Sequence, residues 1–174
     1  HAQTKIAKPA SGNTLVISKS GSYFLAANYV SPLKAASIIS VNANNVTINL
    51  NGFTISAPTG SATTAINAAG DSGVTIVNGT ITSTGTAISL GSNSTVSGMQ
   101  LINNKGDGIK CTSACLISNN IITGNSGIGL NFGSDTTSGY QSNIISGNTG
   151  GTVTGGTPMG TNVCNGVACP APAP

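Results

Sequence analysis

Aliphatic residues recur along this chain at a nearly constant interval, with polar residues between them. One aliphatic column steps by 22, 21 and 21 residues through Ile66, Ile88, Ile109 and Leu130. A second apolar or small residue follows two positions after each of these, and the position between the two is polar. This alternation predicts short strands with one buried face, and the interval of about 21 residues predicts that the strands belong to repeated coils.

A turn signature accompanies the later strands. The pattern Asn-x-Gly-x-Gly-aliphatic occurs at 104–109 and 125–130, and a looser version occurs at 148–153. We expect Asn104, Asn125 and Asn148 to stack at one corner of the coils. Asn tolerates a left-handed backbone, and its side chain can hydrogen-bond along such a stack. The alternative interpretation of this column is a polar binding strip.

Three segments carry a resemblance to a known family. They are VTINLNGFTI at 46–55, VTIVNGTI at 74–81 and NVCNGVACP at 162–170. On these segments the chain resembles the right-handed parallel β-helix repeat family of the pectin-lyase-like superfamily, in its small secreted bacterial type. The resemblance covers roughly residues 14–170 and implies an all-β, single-domain, right-handed parallel β-helix. It implies little about function, because β-helices include lyases, hydrolases, adhesins and inert structural coils.

The predicted organisation is one domain with about five coils of about 21 residues between two differently built ends. Residues 1–35 are expected to form an N-terminal arm and capping strands, of which residues 1–13 are an extended arm or loop. The coils occupy residues 36–154. Residues 155–174 are expected to form a disulfide-closed loop and a Pro-rich tail.

Charged residues are scarce. Only 5% of the residues are charged, all six cations are Lys, and the only acids are Asp71, Asp107 and Asp135. The net charge of +3 is scattered along the chain, so a nucleic-acid partner is not expected. Polar residues interrupt every apolar run, so no membrane span is predicted.

The four cysteines form two close pairs. We predict local disulfides Cys111–Cys115 and Cys164–Cys169, although the sequence alone permits three connectivities. A zinc site built from the same four thiols is the alternative. An even number of cysteines fits an oxidising compartment and favours a secreted protein. A chain that begins at His1 rather than Met indicates either a processed mature protein or a trimmed chain.

The sequence offers little for catalysis. A glycosidase needs two carboxyl groups about 5 to 9.5 Å apart, and a lyase of the pectate type needs carboxylates for Ca²⁺ and a basic residue. Asp71 and Asp135 are expected at one corner but three coils apart, and Asp107 at another corner. The chain also lacks Glu, Arg and an internal His. We therefore expect no enzyme activity, no cofactor and no metal.

These features predict a non-enzymatic, secreted structural protein that associates end to end into an extracellular filament or surface matrix. A solenoid with few surface charges lacks the usual protection against edge association, and head-to-tail contacts generate open filaments. The candidate contacts are Tyr23, Phe24 and Tyr29, which are expected to plug the N-terminal end of the core, and Pro170, Pro172 and Pro174 of the tail. The alternative is a secreted monomeric β-helix module that binds polysaccharide, or a lyase-like carbohydrate-active protein.

Overall fold

The computed structural model describes residues 2–7, 13–31, 36–57 and 64–169. Within these ranges all regular elements are β-strands. In chain order they are β1 (Gln3–Lys5), β2 (Leu15–Ile17), β3 (Gly21–Phe24), β4 (Tyr29–Val30), β5 (Ser37–Val41), β6 (Val46–Asn49), β7 (Thr54–Ser56), β8 (Thr64–Ala68), β9 (Thr75–Thr82), β10 (Ile88–Leu90), β11 (Thr95–Ile102), β12 (Ile109–Cys111), β13 (Leu116–Ser118), β14 (Ile121–Thr123), β15 (Ile128–Asn131), β16 (Gly139–Gln141), β17 (Ile144–Ser146), β18 (Gly151–Thr154), β19 (Thr157–Pro158), β20 (Val163–Cys164) and β21 (Val167–Ala168).

The strands form three faces around one core. The first face is a seven-stranded sheet in the order β2-β5-β8-β10-β12-β15-β18. The remaining strands belong to one 14-stranded sheet that turns a corner, because β9 and β11 each continue from the second face into the third. The second face contains β1, β3, β6, the first halves of β9 and β11, β13, β16 and β19. The third face contains β4, β7, the second halves of β9 and β11, β14, β17 and β20.

The chain is a parallel β-solenoid, which confirms the predicted fold class. All strand pairs in the described residues are parallel except β20 with β21, which is antiparallel. The first-face pairing places Ile88 in register with Ile66 on one side and with Ile109 on the other. Their side chains are at most 1% exposed. Burial of each such aliphatic side chain contributes about 1.5 to 3 kcal/mol, so the stacked columns supply most of the stabilisation.

The structure has about seven coils, counted by the seven strands of the first face, rather than the five predicted. The two additional coils lie at the ends. The segment predicted as capping strands forms a complete first coil with β2, β3 and β4, and β18, β19 and β20 form a seventh. Longer loops hide the period at the N-terminal end, where the register partners Leu15, Ile39 and Ile66 are separated by 24 and 27 residues.

Residues 3–6 of the N-terminal arm belong to the sheet. Residues 1–13 were expected to be an extended arm or loop, but β1 pairs in parallel with β3. The backbone N–H of Ile6 continues this pairing by donating to the carbonyl of Phe24 at 2.8 Å. The second face therefore extends one strand beyond the first coil. The tail residues Pro170, Pro172 and Pro174 lie outside the described residues.

Candidate functional site at the ends of the solenoid

A column of asparagines lies at the corner between the third and first faces. Oδ1 of Asn125 accepts hydrogen bonds from the backbone N–H of Asn104 at 3.0 Å and from its Nδ2 at 2.9 Å. Asn148 receives the same pair of bonds from Asn125, at 3.0 and 2.8 Å. The three side chains are buried. This ladder satisfies backbone donors that the corner would otherwise leave without a partner inside the protein.

The sequence led us to expect a left-handed backbone at the ladder asparagines. In the structure, the left-handed residue of each corner is instead the residue that precedes the ladder residue. Positive φ angles occur at Ser83, Asn103, Gly124 and Gly147. Each of these directly precedes a ladder residue: Thr84, Asn104, Asn125 and Asn148 respectively. The turn and the hydrogen bonding are thus divided between two adjacent positions. Because the turning residue need not make the ladder hydrogen bonds, Ser, Asn and Gly can all occupy the turning position.

A second ladder, which the sequence analysis missed, lies at the corner between the second and third faces. Oδ1 of Asn143 accepts from the backbone N–H and Nδ2 of Asn120, both at 3.0 Å. Asn162 accepts the corresponding pair of bonds from Asn143, also at 3.0 Å. The repeated text Asn-Ile-Ile at 120–122 and 143–145 is the signal that could have revealed it. The two ladders satisfy the backbone donors at their corners. Strand edges without a neighbouring strand are found instead at the two ends of the solenoid.

The core column of the first face is open at both ends. Its five inner members are at most 1% exposed: Ile39, Ile66, Ile88, Ile109 and Leu130. The terminal members, Leu15 on β2 and Val153 on β18, are only partly buried. Among the described residues, β2 pairs only with β5 and β18 pairs only with β15. Each end of this face therefore has a strand edge and an apolar side chain that are only half covered.

The second face is also open at its ends. Its inner column begins at Tyr23 on β3, which is in register with Ile48, and ends at Pro158 on β19, which is in register with Tyr140. Tyr23 and Pro158 are half-buried, whereas Ile48 and Tyr140 are at most 1% exposed. In the part of the chain that the structure describes, β1 and β19 each have one strand neighbour.

The core column of the third face is buried at both of its ends. It runs in register from Tyr29 to Cys164, and its members are at most 4% exposed: Tyr29, Ile55, Ile81, Leu101, Ile122, Ile145 and Cys164. At the C-terminal end it is covered by β21, which pairs with β20. Of the aromatic side chains predicted to mediate self-association, Tyr29 therefore lies inside the core, while Tyr23 and Phe24 are half-buried on β3.

Both predicted disulfides are present, and no cysteine is free to form the alternative zinc site. Cys111–Cys115 links the end of β12 to the residue before β13, at the corner between the first and second faces. Cys164–Cys169 lies at the C-terminal end and ties β20 to the residue after β21. The second disulfide thus closes the hairpin that covers the third column.

The three carboxylates lie at separate places along the first face. Asp71 and Asp135 occupy equivalent turns, in which each N–H donates to the carbonyl three residues earlier. The register separates these turns by three coils, roughly 14 Å at the usual strand spacing. Asp107 accepts hydrogen bonds from the N–H of Ile128 at 2.7 Å and from Nδ2 of Asn131 at 2.8 Å. The separation of Asp71 from Asp135 thus exceeds the one that a glycosidase requires of its two carboxyl groups.

Asp135 organises the loop between β15 and β16. Its carboxylate accepts hydrogen bonds from N and Oγ1 of Thr137, at 3.0 and 2.6 Å, and from N of Ser138 at 3.0 Å. Partial burial raises the pKa of Asp135, but the hydrogen bonds from Ser138 and Thr137 outweigh this effect and lower the pKa to about 2. The carboxylate therefore serves as a charged turn anchor.

An open groove lies beside this loop on the outer surface of the first face. Its volume is about 650 Å³, and its polar lining includes Ser89, Lys110, Asn131 and Asp135. Lys110 Nζ lies 3.4 Å from Oδ2 of Asp107, and Asn131 already donates to the same oxygen. Two of the polar groups that line the groove, Lys110 and Asn131, are therefore both engaged by Asp107.

No family model, no curated protein and no solved structure matches this chain. In the described ranges, no helix has the length and apolar character needed to cross a membrane.

Proposed function

We propose that this protein is a secreted structural β-solenoid that associates end to end into a filament or surface matrix. The observation that carries the proposal is the pair of open ends on the first and second faces. Unpaired strand edges are templates for strand addition. Within the second face the terminal strands β1 and β19 run in the same direction across the stacking axis, because the pairs between them are all parallel. A second copy can therefore continue this sheet without reversing direction.

The two ends are stepped in a complementary way. At the N-terminal end the second face projects by one strand, β1, beyond the first coil. At the C-terminal end the third face projects by one strand, β21. Because the projections lie on different faces, β1 of one copy has room to pair with β19 of the preceding copy. A heterologous contact of this kind does not close and produces a linear assembly.

The distribution of charge favours the same contact. Residues 136–169 contain no charged side chain, so the C-terminal end adds no charge to the joint. The charged residues described near the N-terminal end, Lys5 and Lys19, have the same sign. Stacking the two ends therefore brings no like charges together and desolvates few ionised groups.

The secreted location is part of the proposal. Two disulfides in one chain are typical of oxidising compartments outside the cytosol. The resemblance of the repeats to the small secreted bacterial type of the pectin-lyase-like superfamily supports the same location. A matrix protein outside the cell also fits a surface rich in Ser, Thr, Asn and Gly rather than charge.

The proposal is tested by measuring association of the purified chain. Sedimentation velocity and negative-stain microscopy over a concentration series should show linear particles. Their length should increase in steps of about 38 Å, the height of eight strand levels. A single species of 16.9 kDa at every concentration contradicts the proposal. Val153→Lys places a charge at the open end of the first column and should abolish the particles. Thr154→Lys, an exposed neighbour on the same strand, is the matched control and should leave them intact.

A secreted monomeric module that binds polysaccharide is the second candidate. The groove beside Lys110 favours it, because Ser, Asn, Lys and Asp side chains can hydrogen-bond sugar hydroxyl groups. The internal engagement of Asn131 with Asp107 makes it the weaker candidate. Retention of the chain on immobilised neutral or acidic polysaccharide, lost in Lys110→Ala and Ser89→Ala, would favour this function over self-association.

A further inference from the structure

A recess of about 250 Å³ lies at the N-terminal end of the third face. Most of its walls are apolar and come from Ile6, Ala7, Leu25, Ala26, Ala27 and Tyr29, while Lys5 and Asn28 add polar groups. The side chains of Ile6, Leu25 and Tyr29 are buried, whereas those of the alanines are exposed. The recess therefore has a fixed apolar floor and an accessible entrance beneath the first strand of the third face.

A rigid apolar projection lies at the opposite end of the same face. The hairpin of β20 and β21 turns at Asn165 and Gly166, whose φ angles are 50° and 84°. Such a two-residue turn fits the twist of a hairpin, and Cys164–Cys169 fixes its base. Val167, on the strand that follows the turn, is 67% exposed, which makes it the most exposed large hydrophobic residue among those described. A preorganised apolar group of this kind loses little entropy on binding.

One wall of the recess and the base of the projection belong to the same core column. Tyr29 and Cys164 are the first and last members of the third core column, and Val167 is paired with Cys164. The two features of one copy are about 34 Å apart, the height of seven strand spacings, so they cannot meet within a chain. Head-to-tail stacking brings the projection of one copy to the recess of the next.

We propose that the β20–β21 hairpin of one copy enters the N-terminal recess of the following copy and buries Val167 beneath Tyr29. This inference rests on the proposed end-to-end association and names its interlocking element. The occupant is a second copy because the fit requires an uncharged, disulfide-fixed hairpin on the stacking axis, and the C-terminal end of this chain supplies one. The third core column then continues from Cys164 through Val167 to Tyr29 of the next copy.

The test uses the full chain and the concentration at which half of it is assembled, measured by sedimentation. Val167→Lys places a cation beside Lys5 in an apolar recess and should raise this concentration about tenfold or more, since loss of a buried aliphatic contact has an effect of this order. Val167→Ser should raise it severalfold. Ile121→Lys is the matched control. Ile121 is 40% exposed on the outer side of the third face, remote from both ends, so this variant should assemble normally.

A charge exchange separates a direct contact from a general effect of the substitution. Adding Lys5→Asp to Val167→Lys supplies an opposite charge at the recess and should restore most of the lost assembly. Wild-type assembly combined with normal assembly of Val167→Lys would overturn the hairpin inference and leave end-to-end association standing. A wild-type chain that never assembles would overturn the proposed function together with this inference.

Discussion

The first and third core columns are built alike in the middle of the solenoid and differently at its ends. Both stack aliphatic side chains that are at most 1% exposed in their inner coils. The first column then ends in half-buried Leu15 and Val153, whereas the third ends in Tyr29 and Cys164, which are 3% and 4% exposed. At the C-terminal end the difference comes from one hairpin and one disulfide, which cover the third column alone.

This contrast separates the residues that stabilise the solenoid from those to which we assign the proposed association. Each inner coil buries its aliphatic residues between two identical neighbours, so its stability depends on nearest-neighbour contacts. A terminal coil has one neighbour only, and whatever covers its free side decides whether the particle is a monomer or a polymer. In this chain the β20–β21 hairpin covers the C-terminal end of the third face and extends one strand beyond the last coil. The terminal strands of the other two faces have a free edge.

The largest effect that we expect is on the free energy of unfolding, and it differs between the middle and the end of the first core column. Ile109→Ala removes a side chain that is 1% exposed and should lower the free energy of unfolding by about 2 to 5 kcal/mol, through lost burial and a new cavity. Val153→Ala should lower it by less than about 1 kcal/mol, because the valine is half-exposed in a single copy. Urea unfolding at a concentration where the chain is monomeric measures both values.

Measuring the free energy of unfolding of the same two variants at high protein concentration sharpens the comparison. If assembly buries Val153, the cost of Val153→Ala should grow with protein concentration, since anything that binds only the folded state adds stability. The cost of Ile109→Ala should not change. Equal costs for the two variants in the monomer would show that the end of the first column is not open.

The second expected effect concerns the cover of the third column. Replacing Cys164 and Cys169 by Ser should destabilise the chain by about 2 kcal/mol through lost loop closure, and it should increase hydrogen exchange in β17 and β20. Replacing Cys111 and Cys115 by Ser is the matched control, because that loop has a sequence separation of 4 residues against 5. The control should cost a similar amount without raising exchange in β20. Unchanged exchange in β20 after the first replacement would mean that the hairpin does not depend on its disulfide.

The sequence predicted the fold through features that every inner coil repeats. The steps between Ile66, Ile88 and Ile109 vary by one residue only, so the period, the register and the inward column could be derived without a structure. Asn104, Asn125 and Asn148 were likewise visible because each sits in the same turn text. Physical constraints that recur with every coil leave a recurring signal.

The ends could not be derived in this way, because a terminal coil need not repeat its neighbour. Leu15 lies 24 residues from its partner Ile39, and this longer step concealed the first coil. The second step of the second ladder is also irregular, since Asn162 follows Asn143 by 19 residues. The hairpin had a local signal in Asn165-Gly166, a typical two-residue turn, but only the structure shows which core column it covers.

The smallest effect that we expect is the pH dependence of stability. It reveals a further difference between the faces. In the described ranges all carboxylates adjoin first-face strands: Asp71 follows β8, Asp107 precedes β12 and Asp135 follows β15. Asp135 has its pKa lowered to about 2 from the ordinary value of 3.8 by hydrogen bonds from Ser138 and Thr137, which outweigh the opposing effect of burial. Acid should therefore weaken the open first face before the closed third face.

The sign follows from the direction of the shift. Because the folded chain holds Asp135 ionised more firmly than the unfolded chain does, its contribution to stability is complete above about pH 4 and disappears as the pH falls through about 2. Asp135→Asn should lower Tm by about 2 °C at most near neutral pH, since a solvent-screened carboxylate contributes little. The difference in Tm between wild type and this variant should vanish by about pH 2. A difference that persists at pH 2, or that grows as the pH falls, would show that the hydrogen bonds to Thr137 and Ser138 do not depend on the charge. In that case the loop would be held by its backbone alone.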